Sequence, residues 1–409
     1  MLSLKENKLN ILLYLFPIIL LSRSAILNIY IILVGIFFLY FYFYGKFKIG
    51  INFKSLIFFF FIFYIYIILI SFFSENQLSA IKSSISQIRF FLFFLFIYLY
   101  YSFDSKLLDN LIKFFQVILF LFSIDLIVQS IIGFNILNFK PGISNPDRYS
   151  GVFGSELVAG TFLFFLSIPI ISHIIGNLKN FSFKMQIYNL VFIAVVSLAI
   201  IQTGDRMATL MYLGSIVLIF LFQLSFKKFL SLFLMFSIFV VIVFNVFTNV
   251  QKRYTSLHRD LNNLENFGYF RLFSSSINIW KENKLFGVGL KNYRQVCDTN
   301  KFDNNTKLPT LCSTHPHNIF LELLVETGLV GLILFKFFIF SVIKFIYQKK
   351  TLFRGTNYFK SYSLGLLITL FFFIWPIKSS GSMFTTFYMS FVWFNLGVLF
   401  SLTKKNNEL

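Results

Sequence analysis

The chain contains a series of apolar segments that are long enough to cross a lipid bilayer as helices. A hydrocarbon core about 30 Å thick requires about 20 apolar residues per helix, and the helix bonds its own backbone polar groups. Hydrophobic residues make up 57% of the chain and charged residues 13%, whereas a soluble domain has about 25% charged residues. The sequence therefore predicts an all-α, polytopic membrane helix bundle and excludes a soluble globular domain.

We predict about twelve transmembrane helices from the lengths of these segments. The predicted spans are 9–22, 25–44, 55–73, 86–103, 110–132, 156–175, 187–203, 207–224, 229–248, 318–345, 361–378 and 383–402. The first span follows the charged residues Lys5, Glu6 and Lys8 and has no small-residue cleavage site after it. We therefore interpret it as an uncleaved span and not as a signal peptide.

The basic residues define the orientation of the spans. A formal net charge of +20 would suggest nucleic-acid binding only if the basic residues formed a patch on a folded, water-exposed surface. Most of them lie instead in short gaps between apolar segments, and the positive-inside rule makes that side the cytoplasm. The gap residues are Lys46, Lys48, Lys54, Lys179, Lys184, Lys227, Lys228, Lys349, Lys350, Arg354, Lys404 and Lys405. No nucleic-acid partner is predicted.

The predicted spans divide the chain into three parts. Residues 1–248 form spans one to nine, residues 249–316 form a large external loop, and residues 317–409 form spans ten to twelve with a cytoplasmic tail. The external loop contains both cysteines, Cys297 and Cys312. Disulfides persist in extracytoplasmic compartments, so we regard these two residues as a candidate disulfide.

Three external segments carry an arginine among turn-forming or polar residues. Arg148 precedes span six, Arg206 lies in the short turn between spans seven and eight, and Arg271 begins an amphipathic segment of the loop. In that segment Phe270, Phe273, Ile277 and Trp280 recur at helical spacing, with Arg271 on the other face. Each arginine has a simpler interpretation: Arg148 snorkels to the interface, Arg206 pairs with Asp205, and Arg271 is solvated.

A fourth external cluster opens span ten and contains His315, His317 and Asn318. Pro316 suits the first turn of a helix, which predicts that His317 lies at a helix N-terminus. Such a terminus attracts anions, and a neutral imidazole there can accept a proton. Two histidines could also bind a metal, but no outside set of ligands has a suitable spacing. We predict no metal site.

Several other residues have weaker functional signals. Gly287 and Gly289 could let the backbone approach a phosphate. Glu322 and Glu326 are four residues apart on span ten, and small glycines downstream favour close helix packing. Asp125 is costly in lipid and should face the bundle interior, as a structural hydrogen-bonding residue or as a secondary site candidate.

The sequence from His317-Asn318 through nine residues to Gly328-Leu-Val-Gly331 resembles a signature of the bacterial O-antigen ligases. The stretch from Arg271 through Trp280 to Phe286-Gly-Val-Gly289, the hairpin Arg206, and Arg148 with Gly151 are also similar to that family. The resemblance covers about residues 140–345 by motif. Related polysaccharide polymerases share much of this region, so the family indicates the reaction class better than the acceptor.

The resemblance implies a glycosyltransferase C-like helical bundle in the bacterial inner membrane with a helical periplasmic loop. Such ligases transfer a glycan from undecaprenyl diphosphate to lipid A-core at the periplasmic face, without a metal, nucleotide or other cofactor. The implied catalytic residues are His317, Arg206 and Arg271, with Arg148, Asn318, Gly287, Gly289 and His315 as substrate-binding candidates. His317 would act as a general base or hold the diphosphate.

Two alternatives remain open from the sequence. One is a polymerase that extends the lipid-linked glycan, and it differs from a ligase mainly in the acceptor. The other is a transporter of polysaccharide or lipid-linked glycan. A transporter typically has charged residues near the bilayer midplane and repeated halves, whereas the polar clusters here lie at one face and no repeat is evident.

Overall fold

The computed structural model describes residues 2–22, 24–45, 53–101, 105–142, 146–262, 268–298, 311–348 and 357–404. These residues form sixteen α-helices and no strand, which confirms the predicted all-α class. The helices are α1 (Leu2–Leu20), α2 (Ser24–Phe43), α3 (Lys54–Ser71), α4 (Gln77–Ser86), α5 (Ile88–Tyr100), α6 (Ser105–Ile132), α7 (Ala159–Asn177), α8 (Phe183–Gln202), α9 (Arg206–Gln223), α10 (Phe226–Val246), α11 (Thr248–Asn262), α12 (Gly268–Glu282), α13 (Tyr293–Asp298), α14 (Ile319–Gln348), α15 (Asn357–Phe373) and α16 (Thr386–Lys404).

Within the described residues, ten helical segments are long and apolar enough to cross a membrane. The first and eleventh predicted spans correspond to shorter apolar helices, Leu9–Leu20 and Phe359–Phe373. The fourth predicted span begins earlier than expected, because α4 and α5 together form a candidate span over Gln77–Tyr100. The chain is therefore a multi-pass membrane protein, with fewer full-length spans than the sequence predicted.

The gap residues used to assign orientation are only partly described. Lys46, Lys48, Lys349, Lys350, Arg354 and Lys405 lie outside the described residues. Lys179 follows α7 and Lys228 lies in the first turn of α10, and their side chains are close enough to interact. These two lysines therefore lie at the same end of the bundle.

The position of a helix in the bundle follows its composition. Helix α7 is buried along most of its length and packs against α8, α9 and α15. Small residues permit this packing, since a side chain at Gly176 would meet Ser361 Oγ at 2.0 Å. Helix α10 is apolar on all sides, and Val243 is its only buried residue. Helix α10 therefore lies at the periphery, where lipid can cover it.

Helix α14 is interrupted at Gly328, which has φ 66° and ψ −172°. The interruption frees two backbone groups of α14. The Glu326 carbonyl accepts a hydrogen bond from the Gly289 N–H at 2.9 Å, and the Val330 N–H donates to the Leu285 carbonyl. A side chain at Gly328 would lie 2.2 Å from Leu285 O, and one at Gly287 would lie 2.6 Å from the backbone of α14. The segment 284–289 therefore docks into the break and satisfies its backbone groups.

In residues 249–316, which the sequence predicts to form an external loop, the described helices are α11, α12 and α13. Helix α12 packs against α14, and its buried residues are Leu272, Ser275, Ser276 and Ile279, of which Ile279 shares a cluster with Val325 of α14. This is a different face from the predicted apolar one, because Phe270 and Ile277 remain exposed. Ser275 and Ser276 instead hydrogen-bond the Leu311 N–H and the Tyr293 hydroxyl, which places polar contacts on the buried face.

Asp125 and Gln129 on α6 hold the neighbouring external segments. Asp125 accepts hydrogen bonds from the Ile136 N–H at 2.9 Å and from the Asn135 side chain at 3.2 Å. Gln129 Oε1 accepts from the N–H groups of Ser150 and Gly151. Asp125 thus has the structural role that was one of its two predicted interpretations, and the loop that carries Arg148 is anchored to α6.

Candidate functional site

Two adjoining cavities of about 710 and 280 Å³ lie at one end of the bundle. Their walls come from the Arg148 segment, the α8–α9 turn, α11, α12, the start of α14 and the segment between α15 and α16. The two cavities share Arg148, Asp205, Met207, Tyr269, Lys378 and Ser379. Sequence segments that are far apart along the chain thus meet at one place.

Arg206 is the first residue of α9 and lines the larger cavity. Its guanidinium donates from Nε and Nη2 to the Arg253 carbonyl, at 3.1 and 2.8 Å, and from Nη2 to Ser256 Oγ. Asp205 instead caps α9 by accepting from the Met207 and Ala208 N–H groups. The simpler interpretation of an Arg206–Asp205 pair is therefore wrong, and α11 holds the Arg206 guanidinium in place.

Arg148 lines both cavities and is the residue that pairs with Asp205. Its Nη2 lies 3.9 Å from Asp205 Oδ2, and both side chains are about one fifth exposed, at 19%. Arg148 Nε is buried and makes no hydrogen bond within the described residues. A buried donor without a partner is costly, so this group is available to an anionic ligand.

Arg253 on α11 was not singled out from the sequence, and it also lines the larger cavity. Its Nε donates to Gly204 O at 3.0 Å, which ties α11 to the α8–α9 turn. Burial lowers the pKa of Arg253, and the positive charges of Arg206 and Arg148 lower it further. Three arginines thus repel one another across this cavity, and a bound anion would relieve the repulsion.

Lys378 is a second basic residue that the sequence did not indicate, because it was assigned to the end of a predicted span. It lies in the segment 374–385, hereafter the Lys378 loop, and lines both cavities. Its side chain is 4% exposed. The ammonium lies 3.7 Å from Met211 Sδ and 5.4 Å from the centre of the Phe373 ring.

His317 lines the smaller cavity. Its φ is 55°, and it lies just before the start of α14, as predicted, although Pro316 precedes the helix and does not lie in its first turn. The ring packs against Tyr269 and His315, and Nε2 lies 3.1 Å from Ser313 Oγ. Burial lowers the pKa of His317, so the imidazole is neutral near pH 7 and can accept a proton.

His315 supports His317 and does not line either cavity. Its Nε2–H donates to the Ser380 carbonyl at 3.2 Å, and Nδ1 lies 2.9 Å from Thr314 Oγ1. Burial lowers its pKa to about 4, and the adjacent His317 and Lys291 contribute in the same direction. His315 therefore holds the Lys378 loop against the residues that open α14.

Asn318 caps α14 and also binds the Lys378 loop. Oδ1 accepts from the Phe320 and Leu321 N–H groups, while Nδ2 donates to the carbonyls of Pro376 and Lys378 at 2.7 and 3.0 Å. Asn318 borders the larger cavity, but both ends of its amide are already bonded to protein. Its position supports a role in holding Lys378.

Glu322 attaches the same loop one turn further along α14. It is 1% exposed, and its carboxylate accepts from Ser382 Oγ and, at 2.6 Å, from the Met383 N–H. Lys291 Nζ donates to the same Ser382 hydroxyl at 2.6 Å. The predicted packing role of Glu322 thus includes a polar one, because it binds the Lys378 loop.

Besides His315, three of the candidate residues do not line either cavity. Arg271 lies two residues from Tyr269 and from Phe273, both of which line the larger cavity. A helix turns about 100° per residue, so Arg271 is on another face of α12. Gly287 and Gly289 pack against the break in α14 and Ser74, so their sequence signal reflects helix docking.

Cys297 and Cys312 form a disulfide in the structure. Cys297 is buried with Ile279, Val288 and Val325 beneath α12 and α14. The bond attaches α13 to the segment that leads directly into His315 and His317. In the described ranges, no three His, Cys, Asp or Glu side chains are arranged to share a metal ion.

The fold and the site define a multi-pass helical membrane protein with a basic cavity at one end of its bundle. Residues 190–336, from α8 into α14, match the family model described as O-Antigen ligase. This match assigns that segment to the O-antigen ligase family and confirms the resemblance found in the sequence. It includes Arg206 and His317 but neither Arg148 nor Lys378. No curated protein matches the chain.

Proposed function

We propose that the protein is an O-antigen ligase-like glycosyltransferase. It transfers a glycan from undecaprenyl diphosphate to lipid A-core at the periplasmic face of the inner membrane, with no metal or nucleotide cofactor. The observation that carries this proposal is the composition of the larger cavity, where the described lining residues include four basic side chains, Arg148, Arg206, Arg253 and Lys378, and one carboxylate, Asp205. The family match supports a glycosyltransferase activity of the ligase or polymerase type.

The arginines suit a diphosphate leaving group. Guanidinium groups bind phosphate oxygens through paired, charge-assisted hydrogen bonds. Arg206 is held by the Arg253 carbonyl and Arg253 by the Gly204 carbonyl, so both groups are oriented before the substrate arrives. Preorganised donors stabilise developing charge without reorganisation in the transition state. The arginines therefore stabilise the negative charge that accumulates on the diphosphate as the glycosidic bond breaks.

His317 is the proposed general base. The acceptor hydroxyl gives its proton to the imidazole, and its oxygen bonds to the anomeric carbon while the bond from that carbon to the diphosphate breaks. The electron pair of the broken bond leaves with the lipid diphosphate. Direct displacement inverts the anomeric centre. The lowered pKa of His317 supports this role, because a base must be unprotonated at working pH.

The cavity walls also suit a lipid-linked substrate. Leu210 and Leu213 on α9 and Phe244 on α10 give the larger cavity an apolar side. Most residues of α10 are exposed on the surface of the bundle, so this side adjoins the lipid. A lipid diphosphate can therefore keep its hydrocarbon chain against α9 and α10 while its phosphates meet the arginines.

Deleting the gene and separating the lipopolysaccharide on a gel tests the proposal. We expect loss of all polymer, with lipid-linked polymer accumulating, for a ligase. A single attached repeat would indicate a polymerase, and fully decorated lipopolysaccharide would refute both activities. Comparing lipid-linked and lipid A-linked glycan thus identifies the acceptor class.

Complementation with variants tests the residues. Arg206→Ala and His317→Ala should each abolish transfer while the protein is inserted at its normal level, and Arg271→Ala should reduce transfer less. Arg294→Ala is the control, because Arg294 is 64% exposed and pairs with the similarly exposed Asp298 away from both cavities. Transfer at the wild-type rate in either of the first two variants would remove that residue from the proposed site.

A further inference from the structure

The Lys378 ammonium is buried at the junction of the two cavities and forms no ion pair among the described residues. Its neighbours are a thioether sulfur and an aromatic ring, and its side chain is 4% exposed. A buried cation without a carboxylate partner is unfavourable. Because Lys378 lines both cavities, a ligand bound in either cavity can contact it.

The loop that carries Lys378 is held at several points. Asn318 bonds the carbonyls of residues 376 and 378, the Ser380 N–H donates to His317 O at 2.8 Å, and Glu322 bonds Ser382 and Met383. These contacts fix the backbone on both sides of Lys378. The side chain is thus placed by the same helix end that places the proposed base.

We propose that Lys378 is a further phosphate-binding residue, which takes up a proton when the diphosphate of the donor enters the cavity. This inference rests on the proposed function. Among the described residues that line the larger cavity, Asp205 is the one carboxylate for four basic side chains, and an entering diphosphate supplies the additional negative charge that Lys378 lacks. Lys378 thus selects for the diphosphate group and not for the hydrocarbon chain.

The electrostatics of the cavity agree with this role. Burial lowers the pKa of Lys378 to about 7, and Asp205 opposes this change only in part. The charged and titratable groups that line the same cavities are Arg148, Asp205, Arg206, Arg253, Tyr254, Tyr269, His317 and Tyr388. Burial lowers the pKa of His317, so this imidazole stays neutral above about pH 7, and burial raises the pKa of Tyr254 to about 12. Lys378 is therefore a group whose protonation changes between about pH 7 and 9.

The test measures binding of a short-chain polyprenyl diphospho-N-acetylglucosamine to the full chain in nanodiscs. This diphosphate diester has no ionisation near neutral pH. Wild-type affinity should fall about tenfold per unit above about pH 7, because binding must then protonate the lysine. Lys378→Met should bind about tenfold or more weakly at about pH 7, without this pH dependence. For a tenfold difference at about pH 7, the wild-type affinity should approach that of the Lys378→Met variant at about pH 8.

Two variants and one ligand control complete the experiment. Lys378→Arg should bind with little pH dependence, because arginine stays protonated, and Lys281→Met on exposed α12 surface should behave as wild type. The corresponding polyprenyl alcohol should bind wild type and Lys378→Met equally. If Lys378→Met fails to fold, the pH dependence of the wild type decides alone.

The outcomes separate the two proposals. One outcome would overturn only the role of Lys378. In it, the wild-type protein binds the diphosphate diester with the same affinity from about pH 7 to 9, Arg206→Ala weakens binding, and Lys378→Met does not. Absence of diphosphate binding by the wild type would overturn the proposed function itself.

Discussion

Replacing Asn318 tests how strongly the end of α14 is coupled to the Lys378 loop. The side chain is 7% exposed and makes four hydrogen bonds, two that cap the helix and two to carbonyls of the loop. Loss of an N-cap costs about 1 kcal/mol, and each of the two loop bonds contributes about 1 kcal/mol. Asn318→Ala should therefore lower the free energy of unfolding by about 3 kcal/mol.

Asn318→Ser separates the two contributions. Serine caps helices well but is too short to reach carbonyls of the loop, so this variant should lose about 2 kcal/mol. Steric trapping in bicelles measures the free energy of unfolding, and hydrogen exchange locates the change. Amides of Phe320 and Leu321 should exchange faster only in Asn318→Ala, whereas amides of residues 377–385 should exchange faster in both variants.

Transfer activity gives the functional consequence of the same change. Both variants should transfer glycan more slowly than wild type, because both free the loop that positions Lys378. If Asn318→Ser had wild-type stability, exchange and transfer, the two loop bonds would contribute nothing and the coupling would be refuted.

Three further predictions concern backbone geometry, histidine burial and the disulfide. Gly328→Ala should prevent recovery of folded protein in size-exclusion chromatography, because the new methyl group would lie 2.2 Å from the Leu285 carbonyl oxygen and the residue has a positive φ. Gly142→Ala is the control and should be recovered normally, because there is open space around residue 142. His315 has a folded pKa of about 4 against an ordinary 6.5, so the unfolded chain binds more protons between these pH values. The free energy of unfolding should therefore fall as the pH is lowered from about 6.5 to about 4, and thermal unfolding of His315→Gln should show a smaller fall. Cys297→Ser or Cys312→Ser should lower the free energy of unfolding by about 3 kcal/mol for a loop of this size, and reductant should then have no additional effect on either variant.

The sequence predicted parts of the site that depend on local chemistry. Turn-forming residues around Arg148 and Arg206 and the histidines before span ten indicated one external site, and Arg148, Arg206 and His317 do meet at one end of the bundle. The glycine pair at 287 and 289 gave a weaker signal. A glycine pattern reports close backbone approach, and only the structure shows that the approaching group is the break in α14.

The presence of Arg253 and Lys378 in the cavity could not be predicted from the sequence, because it depends on partners that are distant along the chain. Arg253 and Lys378 looked like ordinary charges of a loop and a span end. Their proximity arises because α11 packs beside the α8–α9 turn and the Lys378 loop folds back on α14. The catalytic role of Arg271 stays a prediction, and helix periodicity alone did not show that the Tyr269 and Phe273 face of α12 lines the larger cavity.

The sequence by itself determined that the chain is an all-helical membrane protein, because apolar length and charge placement are local properties that a bilayer reads directly. It also determined the family resemblance, through residues that are close together along the chain. Only the tertiary structure decided which basic groups share a cavity. Which basic groups meet depends on packing between helices that are far apart in sequence. Burial and neighbouring charges then determine the protonation and the hydrogen-bond partners of each group.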